Sequence, residues 1–352
     1  PRVTSRAARV KAALAVATSL AVAACGGASR PPTTGPAPAT SAKDDASPQA
    51  PASSTPDDAR AAALIAAMMK RVERARRLPA KTAVRGKTLA RDVLLAQVKD
   101  HVKKEIPSEA VRGQGEMLVA FGLLPPAYDY EKGVFDLLEA QLAGYYEPAD
   151  RTMYLAADLG AEDAEATLAH ELVHALQDQH YDLGPQIAFQ AEGGDKSSAI
   201  HALAEGDAMS AMMDVMMAQK GASALDLPDD LLALQMRAQV LMSPGTADVP
   251  PVLRSSLVAP YIDGMLFVHA QRRRGGWAAV DKAWRSPPTT TEQLLHPDKY
   301  DAREPALEVP QPPLSAAGGG FRSMFADLMG EQGLRLVLEE WAPREKAARA
   351  AA

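Results

Sequence analysis

The stretch TLAHELVHALQDQHYDL, residues 167–183, constrains the fold of this chain more than any other. On an α-helix, positions i and i+4 lie one above the other on one face. His170 and His174 therefore present two imidazoles to one point, at a spacing that chelates a single metal ion. Glu171 follows the first histidine, so its carboxylate reaches water beside the ion rather than the ion itself. That is the working content of HExxH, with the glutamate as general base. Two ligands do not complete a site. Something further along the chain has to supply a third, and a second element must pack against this helix to bring it there.

Downstream runs SSAIHALAEGDAMSAMMDVMM, which predicts a second, long helix over about 196–220 carrying Glu205. Two histidines and a glutamate, with water in the fourth position, form a catalytic zinc set, because one coordination position stays open. His201, four residues earlier, shares the helical face of Glu205 and is a rival that either ligates or hydrogen-bonds. Asp207 is turned about 200° away at 100° per residue, so it orients a histidine only if the helix is distorted. Asp178, one turn after His174, and Asp195, near the start of the second helix, are further candidates for supporting carboxylates.

The segments HELVHALQDQH, ALAEGDA, the PY and FV positions of APYIDGMLFV, GGW and TEQLLHPDKY together resemble the gluzincins. These are HExxH peptidases whose third ligand is a glutamate on a following helix. More narrowly, the pattern is similar to a family of bacterial and archaeal surface metallopeptidase-like proteins, over most of residues 80–341. HExxH and EGDA are its specific part. The resemblance implies a zincin-like fold, one Zn²⁺ per chain on His170, His174 and Glu205, and a peptide or protein substrate. It also places a helper carboxylate one turn after the glutamate ligand, where this chain has Met209. In that family an edge strand beside the metal helix holds an extended substrate by strand addition. The position falls here on Tyr145, Tyr146, Met153 and Tyr154. Tyr261 in APYIDG and His296 in LLHPDKY are candidate donors to a developing oxyanion. Tyr261 suits equally a buried tyrosine at a helix start, and His296 a cap before Pro297.

Elsewhere the pattern is mostly helical. Helices are expected over 58–77, 89–104, 113–123, 134–142, 161–180, 229–242 and 261–274, with a final pair in 321–341. AGYYEPADRTMYLA is the one clear strand signal, a β-hairpin around a Glu-Pro-Ala-Asp turn. The expected class is therefore mainly α (α+β), a helical body with a small hairpin beside the HExxH helix. RRRGGW at 272–277 fits a basic helix end closed by glycine better than an anion site. Thr289–Glu292 fits a capping box opening a short helix. Met209, Met212, Met213, Met216 and Met217 recur at helical spacing, as a core stripe does, rather than as a copper site.

The N-terminal part reads differently. Arg2, Arg6, Arg9 and Lys11 precede an apolar run, Ala12–Ala24, that ends VAAC at Cys25. Residues 1–25 resemble a lipoprotein signal peptide, with Cys25 as the lipidated residue. Residues 26–56 are rich in Pro, Ala, Ser and Thr and read as a tether, leaving 57–345 as the metallopeptidase domain. The expected location is the cell envelope, held to a membrane through Cys25. As the only cysteine, Cys25 also excludes an internal disulfide. A net charge of −6 argues against a nucleic-acid partner, which needs a concentrated basic face. The expected activity is zinc-dependent peptide hydrolysis. The alternatives are a zinc hydrolase of cell-wall peptides and a catalytically silent scaffold, and the scaffold has no need for Glu171.

Overall fold

The computed structural model describes residues 56–158, 161–187, 193–242, 248–310, 313 and 327–352. The expected leader, Cys25 and all but the last residue of the expected tether lie outside the described residues. Helix α1 (Pro56–Arg76) buries Ala61, Ile65, Met68, Met69 and Val72 on one face. It is followed by β1 (Arg85–Leu89), α2 (Arg91–Glu105), α3 (Ser108–Ala120), α4 (Tyr130–Gln141), β2 (Gly144–Glu147) and β3 (Thr152–Ala156). Then come α5 (Ala161–Tyr181), the short α6 (Leu183–Ile187), α7 (Gly194–Met217), α8 (Asp229–Met242) and α9 (Pro251–Arg285). The chain continues through α10 (Thr291–Leu295), α11 (Pro297–Ala302), α12 (Glu331–Glu339) and α13 (Arg344–Ala351). The protein is mainly helical with one small sheet, as the periodicity predicts. No helix among the described residues is long and apolar enough to cross a membrane.

The sheet differs from the expected hairpin in one respect that matters for the site. β1 pairs parallel with β3, and β2 pairs antiparallel with it, so the order is β1-β3-β2 and β3 lies in the middle. RGKTL carries no apolar alternation, and its strand state comes from pairing with β3 and from Gly86. A Cβ at Gly86 would fall 2.2 Å from Ile65 Cδ1 of α1, so any larger residue there would displace the end of that buried side chain. Side chains then sort by face, as period two requires. Tyr145, Tyr154 and Ala156 join Leu94, Leu95, Val98 and Phe135 in a small core over α2 and α4. Tyr146, Met153 and Leu155 face the main core with α1, α5, α7 and α9.

Helix α7 is buried along most of its length and forms the axis of that main core. Met209 and Met212 are buried on it as a core stripe requires, whereas Met213 and Met217 are half-buried and Met216 is exposed, so the stripe ends before the last turn of the helix. It crosses α9 at backbone contact. A Cβ at Gly264 would lie 1.7 Å from Ala202 O, and one at Gly206 would lie 2.0 Å from Gly264 C. This crossing sets Glu205 and Tyr261 on facing stretches of the two helices. Gly264→Ala is expected to force them apart and to lower stability by at least about 1–3 kcal/mol, as overpacking does. Thermal unfolding of the variant checks this, and an unchanged midpoint would refute the close crossing.

Three local expectations resolve. Helix α9 breaks at Gly275–Gly276, with Gly276 at φ 62°, which ends the first segment at RRR. Arg272, buried, binds Asp214, and the exposed Arg273 and Arg274 bind Asp229 and Asp301, so all three cations of the basic turn have partners within the chain. The cap of α10 sits one residue later than expected. Thr290 accepts from the Gln293 N–H at 3.1 Å, and Glu292 pairs with Lys299 instead. The C-terminal helices lie further along than 321–341. Residues 321–326 are outside the described set, and Pro343 starts a last helix whose alanine-rich sequence has high intrinsic propensity rather than an apolar stripe.

Candidate metal centre

Helix α5 carries His170, Glu171 and His174 into the core between Leu168, Leu172 and Leu176, and all three side chains are buried. Glu205 arrives from α7, 1% exposed. Its Oε2 lies 3.1 Å from His170 Nε2 and 3.5 Å from His174 Nε2, and the two imidazole nitrogens are 3.1 Å apart. Among the described residues these three form a buried group able to hold a metal ion. The triangle has the right size. Ligand bonds of about 2.0–2.1 Å at tetrahedral angles put donor atoms about 3.3–3.4 Å apart.

Protons satisfy such a triangle poorly. Oε2 only accepts, and each Nε2 offers either a hydrogen or a lone pair. Whichever nitrogens are protonated, at least one edge sets like against like. One cation in the middle satisfies all three. Without it, the two carboxylates and two imidazoles shift one another. The carboxylate of Glu205 outweighs burial and holds the His174 imidazole up to about 9. Burial pushes His170 down. Glu205, despite burial, is held well below the usual carboxylate range by His174 and by its hydrogen bonds to the histidines.

Glu171 stands beside the triangle and outside it. Its Oε2 accepts the backbone N–H of Tyr146 at 3.1 Å, which fastens it to β2. Burial raises its carboxyl to about 8, with the Glu205 charge adding to this and His174 and the Tyr146 N–H opposing it.

The remaining candidates separate clearly. His201 Nε2 lies 3.1 Å from Glu205 Oε1, the carboxylate oxygen that is not part of the triangle. Tyr261 is fully buried, with its ring centroid 6.0 Å from that of His170. His296 pairs with Glu331 at 2.9 Å rather than with any residue of the triangle. Asp178 accepts the Tyr146 hydroxyl at 3.0 Å and ties β2 to the end of α5. Asp195 accepts from the hydroxyl and backbone of Thr291 and so anchors α10.

Asp207 does not touch a histidine, and α7 needs no distortion to use it. It meets Gln177, a residue of α5 that the sequence reading passed over. Gln177 Oε1 lies 2.8 Å from His174 Nδ1, and its Nε2 donates to Ala204 O at 2.9 Å and Asp207 Oδ2 at 3.2 Å. Asp207 also receives Arg76 Nε at 2.6 Å and Trp284 Nε1 at 2.8 Å. Gln177 stands three residues after His174, on the same helical face, and that spacing is the signal for it in the sequence.

The edge-strand expectation needs correction at two residues. β3 is flanked on both sides, so Met153 and Tyr154 present no free edge. Tyr145 stacks on Tyr154 with centroids 5.1 Å apart, on the face turned away from the triangle. The edge along α5 is β2, and there the outward N–H of Tyr146 already serves Glu171. Comparisons of the chain with protein-family models, with curated proteins and with solved structures find no match.

Proposed function

We propose that this protein is a zinc-dependent metallopeptidase of gluzincin type, with His170, His174 and Glu205 as ligands and Glu171 as general base. The observation that carries the reading is the buried triangle of ligand atoms with a separate, strand-anchored carboxylate beside it. A structural metal site has four protein ligands, whereas three leave a corner for reaction. Two imidazoles and one carboxylate hold zinc or iron(II), and the HExxH spacing with a glutamate beside the first histidine favours zinc.

Bound zinc supplies Lewis acidity to a carbonyl and brings the pKa of water towards about 7. The chain's own residues do the rest. The Tyr146 N–H occupies Oε2 of Glu171, which leaves Oε1 to take the proton from attacking water. The same carboxyl then delivers that proton to the leaving amine. His201 keeps Glu205 turned towards the histidines. Tyr261, beside His170, is the residue best placed to donate to the oxyanion. The β2 edge favours an extended polypeptide substrate, docked beyond the position that Glu171 occupies. The N-terminal sequence supports a location at the cell envelope, anchored through Cys25.

Elemental analysis paired with a fluorogenic peptide library tests the reading. The expected result is about one zinc per chain and chelator-sensitive cleavage. Protein that takes up no zinc defeats the proposal. Zinc-loaded protein that cleaves nothing in a broad library makes the scaffold the better account.

A further inference from the structure

We infer that Gln177 is the positioning residue that makes His174 a metal ligand, and that it is itself aimed by a buried relay running from Arg76 through Asp207. This rests on the metal-centre reading above and adds to it the residue that selects which histidine nitrogen faces the ion.

A side-chain amide has two unlike ends, and here the surroundings decide which end points where. Ala204 O and Asp207 Oδ2 are both acceptors, at 2.9 and 3.2 Å from Gln177 Nε2. The NH₂ group must face them, so Oε1 must face His174 Nδ1, 2.8 Å away. An acceptor at that distance requires a hydrogen on Nδ1. The lone pair of the neutral ring is then confined to Nε2, the nitrogen aimed into the triangle. A flipped amide would set its oxygen against two acceptors at once and could recover only one bond, from its NH₂ to His174 Nδ1, with no water to make up the loss because Gln177 is fully buried.

Asp207 cannot turn to relieve such a flip. Arg76 Nε holds Oδ1 at 2.6 Å, and Trp284 Nε1 shares Oδ2 at 2.8 Å. Arg76 is fully buried at the end of α1, with its guanidinium 4.5 Å from the Trp277 ring centre and paired also with Asp281. Four helices, α1, α5, α7 and α9, thus converge on one ring nitrogen. The two histidines are not equivalent in this respect. His170 Nδ1 is buried and has no hydrogen-bond partner among the described residues.

The use of an amide has a physical reason. A carboxylate on His174 Nδ1 would add a third negative charge to a pocket that already buries Glu171 and Glu205. The relay keeps that charge one residue further out, on Asp207, where Arg76 neutralises it.

Zinc affinity, measured by chelator competition, and ¹⁵N-histidine NMR of the zinc-loaded protein test the inference. Gln177→Met keeps the volume and removes the acceptor, and it is expected to weaken zinc binding by about 10- to 100-fold. Gln177→Glu keeps the acceptor towards His174 but sets its other oxygen against Ala204 O and Asp207 Oδ2, so it is expected to keep the protected Nδ1–H signal while unfolding at a lower midpoint than wild type. In wild type, His174 should bind zinc through Nε2 and show an Nδ1–H protected from solvent exchange, a signal lost in Gln177→Met. Coordination through Nδ1, a freely exchanging Nδ1–H in wild type, or unchanged affinity in Gln177→Met would each overturn the role of Gln177. The NMR measurement on wild type decides the matter even if neither variant folds. Wild type that binds zinc and cleaves peptide while Gln177→Met keeps its affinity would sink only this inference, whereas wild type without zinc would sink both.

Discussion

Glu171→Gln is expected to bind the metal as wild type does and to lose hydrolysis by about 10²- to 10⁴-fold in kcat, the range general-base catalysis supplies. The amide still accepts the Tyr146 N–H at the position of Oε2, so the geometry survives while the basic oxygen is gone. Steady-state kinetics with a matched metal assay is the measurement, and unchanged turnover would remove Glu171 from the reaction. The same substitution has a second, opposite consequence in metal-free protein. Burial raises the Glu171 carboxyl from 4.5 to about 8. Between those values the folded state holds a proton that the unfolded state has released, so this group makes stability fall as pH rises through that window. Glutamine has no such slope. Metal-free Glu171→Gln should therefore gain on wild type as pH rises and be more stable by on the order of a few kcal/mol above about pH 8, with little difference below pH 4.5. Urea unfolding of both metal-free forms at acid and alkaline pH checks the sign. A gap of the same size at both ends would show that the carboxyl is not desolvated.

Glu205→Ala should cost more in affinity than any change outside the ligand triangle. Removal of a group that only orients a ligand weakens metal binding by about 10- to 100-fold, so loss of a ligand should exceed about 100-fold. It would also leave His201 without its carboxylate partner and His170 without its shortest contact to an acid. Equilibrium dialysis against zinc measures the loss. Retention of zinc would mean that His201, one turn earlier on α7, swings into the place of Glu205. The double variant Glu205→Ala/His201→Ala separates that rescue from an error in the ligand set, since the rescue disappears only if His201 supplies it.

The acid and the two imidazoles were within reach of sequence because each depends on short-range geometry. Spacing of four on a helix aligns His170 with His174 wherever that helix goes. Glu205 needed one further step, a second helix packed on the first, and the structure brings its carboxylate to 3.1 Å from His170 Nε2. Helix positions and the β2–β3 hairpin follow from periodicity and turn residues in the same local way.

Other parts of the centre depend on residues far apart along the chain. β1 has a polar sequence and becomes a strand only by lying against β3, and that pairing takes Met153 and Tyr154 out of the edge position. Asp207 looked misdirected on its own helix, yet it supports His174 through a glutamine supplied by α5. Arg76, at the end of α1, is a fully buried cation paired with Asp207 across 131 residues of chain. The sequence by itself determined which side chains can bind a cation and move a proton, because chemistry and helical pitch are properties of neighbouring residues. Only the tertiary structure decided how those side chains are aimed, because the bonds that fix Glu171 to β2 and Gln177 to α7 join elements whose meeting is set by packing of the whole core.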